Sequence, residues 1–433
     1  MCVKLFGTMK INENILEIGG KSVFDLKKEF GTPLYVMDEK LVRETCRTYK
    51  DNFTLDGIDT EVIYASKAFQ NIAMCRLIHE EGLSLDIVSG GELYTALKAD
   101  FPASKIYMHG NNKTYEELVM GINAGVGTII VDNEQEMELI ELICKDMDRS
   151  VNALLRVNPG VEAHTHEYIQ TTKNDSKFGE SIFDEKVFGF ISRLAKSDYI
   201  NFKGFHCHIG SQIHQEESFY LGATIMLEFL KTVKEKCDFV TTELNLGGGF
   251  GIYYNEEDTP MDISVFLKEL LVKIKEKCEK LDIHLPKILI EPGRSIVSNA
   301  GTTLYTVGGT KETYGGRDYI FIDGGMNDNP RPALYSAIYE ASIANKMNDK
   351  RTRTYTIAGK CCESGDIIRK DIELPEAEVG DIVAVASTGS YNYSMASNYN
   401  RIGRPAVVFV QDGKARLAVK RETYEDIIKN DVM

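Results

Sequence analysis

Lys67 closes the run Glu61-Val-Ile-Tyr-Ala-Ser-Lys67, and the helix-like stretch Asn71-Ile-Ala-Met-Cys-Arg-Leu-Ile-His79 follows it. Apolar, β-branched and aromatic residues leading into a helix predict a lysine at the C-terminal end of a buried strand. An ammonium there must be paired, carried to the surface, neutralised or used covalently. A desolvated lysine of lowered pKa is the kind that forms Schiff bases with carbonyls. Other apolar runs end on residues of comparable chemistry: Asp86, His109, Arg156, His206 and His208, Gly247-Gly248-Gly249, and Glu291-Pro-Gly293-Arg294. Packing alone does not ask for polar or glycine residues at nearly every strand end.

The glycine run either makes a tight turn or lets backbone N–H groups approach an anion, as phosphate-binding loops do. Glycines, an arginine and a Schiff-base lysine together suggest a phosphorylated aldehyde, pyridoxal 5'-phosphate. Glu291 supplies the electronic part. A carboxylate beside the pyridine nitrogen keeps it protonated, so the ring accepts the electron pair left when a bond to Cα breaks. An ion pair with Arg294 is the plainer use of Glu291. His208 would stack on the ring, with His206 on the same face by alternation. Histidines at this spacing also ligate metals, but no matched carboxylate or cysteine set accompanies them, and no metal is expected.

Positioning these residues takes a regular frame. Eight strand candidates lie at 62–66, 85–88, 106–108, 128–131, 153–157, 204–208, 243–246 and 288–290, with helical stretches between them. That is the size of an α/β chain closed as a (β/α)8 barrel, whose catalytic residues come from the C-terminal strand ends and whose phosphate sites follow strands seven and eight. A doubly wound open sheet fits the alternation as well. After about residue 298 shorter strand-like runs take over, at 319–322, 353–358, 381–386 and 406–410, separated by Gly, Asn, Asp and Pro. They read as a mostly β domain, with the boundary near residue 300.

A formal charge of −15 over 433 residues, with no Lys/Arg-rich block, argues against a nucleic-acid surface. Nine cysteines without a repeated CxxC pattern suit reduced thiols better than a disulfide framework or zinc site. Met1-Cys-Val-Lys-Leu-Phe-Gly7 lacks the pattern of a signal peptide, and no apolar run approaches the ~20 residues needed to span a bilayer. A cytoplasmic protein with no membrane association is expected.

Tyr64-Ala-Ser-Lys67, His206-Cys-His-Ile-Gly-Ser-Gln212, Gly247-Gly-Gly-Phe-Gly251, Glu291-Pro-Gly-Arg294, Cys362-Glu-Ser-Gly-Asp366 and Tyr391 in Gly389-Ser-Tyr-Asn-Tyr393 together resemble the pyridoxal-phosphate decarboxylases of fold type III. Within that family the chain looks like the branch that acts on meso-diaminopimelate. The resemblance implies a (β/α)8 barrel over 36–300 and a β domain built from both chain ends, 1–35 and 301–433. It implies that Lys67 carries the cofactor, His208 stacks on its ring and Glu291 faces the pyridine nitrogen. Ser211, Gly247, Gly248, Gly249, Gly293, Arg294 and Tyr391 would surround the phosphate, with Asp86 and Arg156 in support. Cys362, offered to the partner subunit of a head-to-tail homodimer, would protonate the carbanion.

A substrate with a second amino-acid head needs a guanidinium and an anion at its far end. The resemblance assigns Arg331, Tyr335 and Glu363 to that end, beside Arg294 and Tyr391, and Ser176-Lys-Phe-Gly179 to the family's active-site loop. Relatives that decarboxylate ornithine, arginine or carboxynorspermidine, and noncatalytic carriers of the cofactor, are the alternatives. Arg331 with Glu363 argues against the diamine precursors, and a retained β domain argues against a carrier. Lys360 and Cys361 stand where the family suggests a proline and an apolar residue, and Ser390 where it suggests alanine.

Overall fold

The computed structural model describes residues 4–161 and 176–432; Met1-Cys-Val3 of the N-terminal reading lies outside them. Two compact units result, one of residues 46–251 and 259–293 and the other of residues 1–45, 252–258 and 294–433.

The first unit is a closed barrel. Its eight parallel strands, in order, are Thr60–Ala65, Ser84–Ile87, Ile106–Met108, Thr128–Val131, Val151–Asn158, Ile200–His206, Glu243–Asn245 and Lys287–Ile290, and the eighth pairs with the first. Closure settles the choice against the open sheet. The sequence explains why each strand gives way to a helix so soon. Asn71, Ser89, Thr114 and Asn133 cap the helices after the first four strands, each side chain accepting from a backbone N–H of the first turn. The strands are nearly continuous apolar runs because both faces are covered. Inside the barrel Ile63, Tyr107, Ile130, Leu154 and Leu289 form one packed layer. With the interior filled, polar strand ends are left only at the rims.

The second unit is built on a sheet whose main path runs Ile367–Leu374, Arg353–Ala358, Asp318–Ile322, Gly301–Glu312, Leu34–Asp38, Ala406–Gln411 and Lys414–Val419. Leu34–Met37 pairs antiparallel with Gly301–Leu304 of the long strand, and Leu34–Asp38 pairs parallel with Ala406–Val410. Two apolar clusters stabilise this unit, one around Tyr305, Ile320, Tyr339 and Ile357, the other around Leu26, Val36, Leu304 and Val408. No helix among the described residues is long and apolar enough to cross a membrane.

Candidate active site

At the C-terminal rim of the barrel the eighth strand delivers Glu291, which is 7% exposed. His109 Nε2 approaches its Oε1 to 2.9 Å and His206 Nε2 its Oε2 to 3.1 Å, while Asn245 Nδ2 donates to Oε1 at 2.7 Å. Burial works against a charge here, but His109 and His206 prevail and hold the carboxyl well below its usual range. Burial pushes His206 down to about 4, so it donates as a neutral imidazole. Four strand ends thus converge on one ionised carboxylate. His109, His206 and Glu291 also bring one donor atom each within 4.8 Å of one another, a grouping that differs from the His206 and His208 pair considered from sequence spacing.

Asp86, at the end of the second strand, is 2% exposed, and its Oδ1 has no hydrogen-bond partner among the described residues. Burial raises its pKa, with His109 opposing and Glu291 adding to the rise. Arg156 lies on the fifth strand, and burial lowers its pKa against the pull of Asp132, Glu291 and Asp86. Its guanidinium stands 4.3 Å from the ring centroid of Phe178, and Gly179 N–H donates to the Asp132 carboxylate at 3.0 Å. The segment Ser176–Gly179 is therefore fastened to the rim by Arg156 and Asp132.

Lys67 differs from the expectation. The strand before it is buried, but a short 3-10 turn, Ser66–Ala68, lifts the lysine off the strand, and its side chain is exposed. Its charge is felt at Asp86, Glu92 and His208. Burial, then Lys67 and Arg156, push His208 well below its ordinary pKa, so that ring is neutral. His208 lies just past the sixth strand, against the glycine loop: a Cβ on Gly247 would come within 3.0 Å of His208 Nδ1. A Cβ on Gly248 would meet the Glu291 carbonyl at 2.1 Å, and one on Gly249 the Gly210 carbonyl at 2.4 Å. Close backbone approach demands these glycines, and the same approach ties the loop to Glu291 and His208. Gly293 is packed as tightly, since a Cβ there would come within 2.8 Å of the Ala65 Cβ, and Ser211 sits half-buried beyond His208.

The other unit carries a second set. Arg294, the residue after Gly293, and Arg331 are 8% and 6% exposed. Arg294 Nη1 donates to Tyr254 Oη at 2.6 Å, and its guanidinium stands 4.9 Å from the Tyr391 ring centroid. Arg331 has rings on several sides, those of Tyr391, Tyr254 and Tyr335, at 5.5, 5.6 and 5.6 Å. No carboxylate among the described residues pairs with it; Tyr339 shares a hydrogen bond with it, and its Nε has no partner there. Tyr391 has a φ of 59°, an uncommon left-handed conformation for a bulky residue and a mark of a constrained site. Ser390, in place of the suggested alanine, is buried and hydrogen-bonds Ser298.

Cys362 and Glu363 are exposed in the connection between Arg353–Ala358 and Ile367–Leu374. Asp366 is buried beneath them and accepts from Met326 N–H and Cys361 N–H, both at 2.7 Å. Cys361 is buried and Lys360 exposed, so neither departure disturbs that turn. Tyr254, Tyr339, Asp132 and Asn245 were not singled out from sequence. Tyr254, three residues past the glycine run, and Asn245, two before it, were within reach of a reading that extended the motif at both ends.

Residues 39–298 match the family described as pyridoxal-dependent decarboxylase, pyridoxal binding domain. Over 99% of this chain and 98% of the relative, it is 51% identical to a diaminopimelate decarboxylase of Bacillus subtilis. The chain belongs to the diaminopimelate decarboxylase family. A second member, from Staphylococcus aureus, is 47% identical over 98% of this chain and 99% of its own. The crystal structure of diaminopimelate decarboxylase from M. jannaschii in co-complex with L-lysine superposes with a TM-score of 0.91 at 36% identity, covering 98% of each chain. That of Helicobacter pylori, also complexed with L-lysine, gives 0.85 at 28% identity, covering 94% and 98%.

The residues present fit the cofactor of this family. A buried carboxylate kept ionised by three donors suits a protonated pyridine nitrogen. Asp86 keeps a buried oxygen without a partner among the described residues, and Lys67 offers an accessible amine whose charge is felt there.

Proposed function

We propose that the protein uses pyridoxal 5'-phosphate to decarboxylate meso-2,6-diaminopimelate, giving L-lysine and CO2, the last step of lysine biosynthesis. One observation carries the substrate choice: Arg331 is a buried guanidinium among tyrosine rings with no carboxylate paired to it among the described residues. Such a group suits a ligand that brings a carboxylate at its far end, which diaminopimelate does and the diamine precursors do not. Membership of the family supports the same reading.

When bound, the cofactor supplies an aldehyde for amines and a ring that takes up the electron pair left at Cα as CO2 departs. Lys67 would hold that aldehyde through its amine when no substrate is bound. Glu291 holds a proton at the pyridine nitrogen, and His109, His206 and Asn245 keep Glu291 ionised and in place. His208, as a neutral ring, packs against the cofactor, and Asp86 and Arg156 support it. Ser211, Gly247, Gly248, Gly249, Gly293, Arg294 and Tyr391 take the phosphate. Arg331 and Tyr335 bind the distal carboxylate, Glu363 the distal ammonium, and Arg294 and Tyr391 also border the substrate. Cys362 gives Cα the proton that replaces the carboxylate. Its exposure, with that of Glu363, suits residues offered to a second copy, and a homodimer in the cytoplasm is the working assembly.

Borohydride reduction of the cofactor-loaded protein, followed by peptide mapping, tests the central assignment. The phosphopyridoxyl group is expected on Lys67 and absent from Lys67→Ala; an adduct on another lysine overturns it.

A further inference from the structure

Tyr254 has no part in the scheme above, yet its side chain meets both buried arginines, Arg294 with oxygen and ring and Arg331 with the ring alone. Its oxygen accepts from Arg294 Nη1 at 2.6 Å, and its ring centroid lies 5.6 Å from the Arg331 guanidinium and 5.7 Å from that of Arg294. Tyr339 packs edge-on against the ring at 5.3 Å, and Tyr254 N–H donates to the Asp258 carboxylate at 2.8 Å. The phenol oxygen also lies 3.3 Å from Ser298 Oγ, which bonds Ser390. The side chain is thus held from the ring edge, the backbone and the hydroxyl. A guanidinium on a long stem loses much rotamer freedom when aimed at an anion, and a fixed neighbour lowers that cost before the ligand arrives.

We propose that Tyr254 is a positioning residue that aims Arg294 chiefly through its oxygen and Arg331 through its ring face, so that losing the oxygen alone weakens phosphate binding and losing the ring weakens distal-carboxylate binding as well. The phenol's own acidity agrees with the contacts. Burial raises its pKa, but Arg294, Arg331 and the two serine hydroxyls outweigh burial and bring it down to about 8. The inference rests on the reading of Arg294 as phosphate-binding and Arg331 as carboxylate-binding.

Tyr254→Phe removes the oxygen and keeps the ring; Tyr254→Leu removes both; Arg294→Met tests the underlying reading. Cofactor-free protein is titrated with pyridoxal 5'-phosphate and, separately, with pyridoxal, and KM and kcat for diaminopimelate are measured at saturating cofactor. Tyr254→Phe is expected to bind the phosphorylated aldehyde about tenfold more weakly, with pyridoxal affinity and KM unchanged. Tyr254→Leu is expected to raise KM as well, by about fivefold, with kcat nearly retained. Equal weakening toward both aldehydes in Tyr254→Phe, or none, overturns the proposal provided Arg294→Met loses its preference for the phosphate. If Arg294→Met keeps that preference, the phosphate reading itself fails and the Arg294 arm falls with it. Should Tyr254→Leu not fold, the Phe variant still decides the oxygen's role.

Discussion

Replacing Arg331 with methionine should make the protein a worse enzyme and a slightly more stable one. The side chain is 6% exposed, and among the described residues no carboxylate neutralises it. Taking a guanidinium without a carboxylate partner out of water costs several kcal/mol; a hydrogen bond with Tyr339 returns part of it, and rings at 5.5 to 5.6 Å return only about 0.5–1 kcal/mol each, near the limit of cation–π reach. Methionine has a similar reach and no charge to desolvate, so Arg331→Met should stabilise the cofactor-free protein by about 1 kcal/mol. Against this, a two-pronged guanidinium–carboxylate contact to substrate is lost. At about 3 kcal/mol that loss raises KM for diaminopimelate about a hundredfold, with pyridoxal phosphate affinity little changed. Urea unfolding of the cofactor-free protein and steady-state kinetics at saturating cofactor measure the two halves. An unchanged KM would refute the distal-carboxylate role. A fall in stability of 1 kcal/mol or more would show that the tyrosines compensate the charge without a ligand.

Two further outcomes are expected. Cys362→Ser should retain cofactor binding and lose at least tenfold in kcat, since an exposed thiol makes few contacts that hold the fold; a variant with unimpaired kcat would remove the thiol from the proton transfer. His206 has its folded pKa lowered to about 4 by burial, below the ordinary histidine value, so the unfolded chain takes up its proton first as pH falls. Stability is therefore lost between about pH 6.5 and 4, by about 3 kcal/mol, and His206→Phe should flatten that part of the urea-midpoint profile. An unaltered slope would mean that His206 does not titrate across unfolding.

The barrel was legible because its signals are local. Each strand is an apolar run, each helix after the first four strands begins at an Asn, Ser or Thr cap, and the chemistry stands where a run stops. The sheet of the second unit was less so. The strand Gly301–Glu312 is rich in Thr and Gly and half exposed, and it is held by partners far away in sequence, Leu34–Asp38 and Ile382–Val385 among them. Propensity says little about a strand defined by such pairing. At the site, residue types were readable and partnerships were not. Glu291 was legible as a carboxylate near a ring nitrogen, but its box of His109, His206 and Asn245 joins separate strands that closure alone brings together. Lys67 was read as buried because its strand is; the turn Ser66–Ala68 is too short to announce itself. Tyr254 escaped notice because a tyrosine after a glycine run reads as core until Arg294 is seen against its oxygen.

CO2 release from purified, cofactor-loaded protein tests the account most directly. Meso-diaminopimelate, LL-diaminopimelate, ornithine, arginine and carboxynorspermidine are supplied in parallel, and the amino-acid product is identified. Release from the meso compound alone, with L-lysine as product, is the predicted result. Release from ornithine, arginine or carboxynorspermidine instead would contradict it, leaving Lys67 and Glu291 with their cofactor and depriving Arg331 of its substrate.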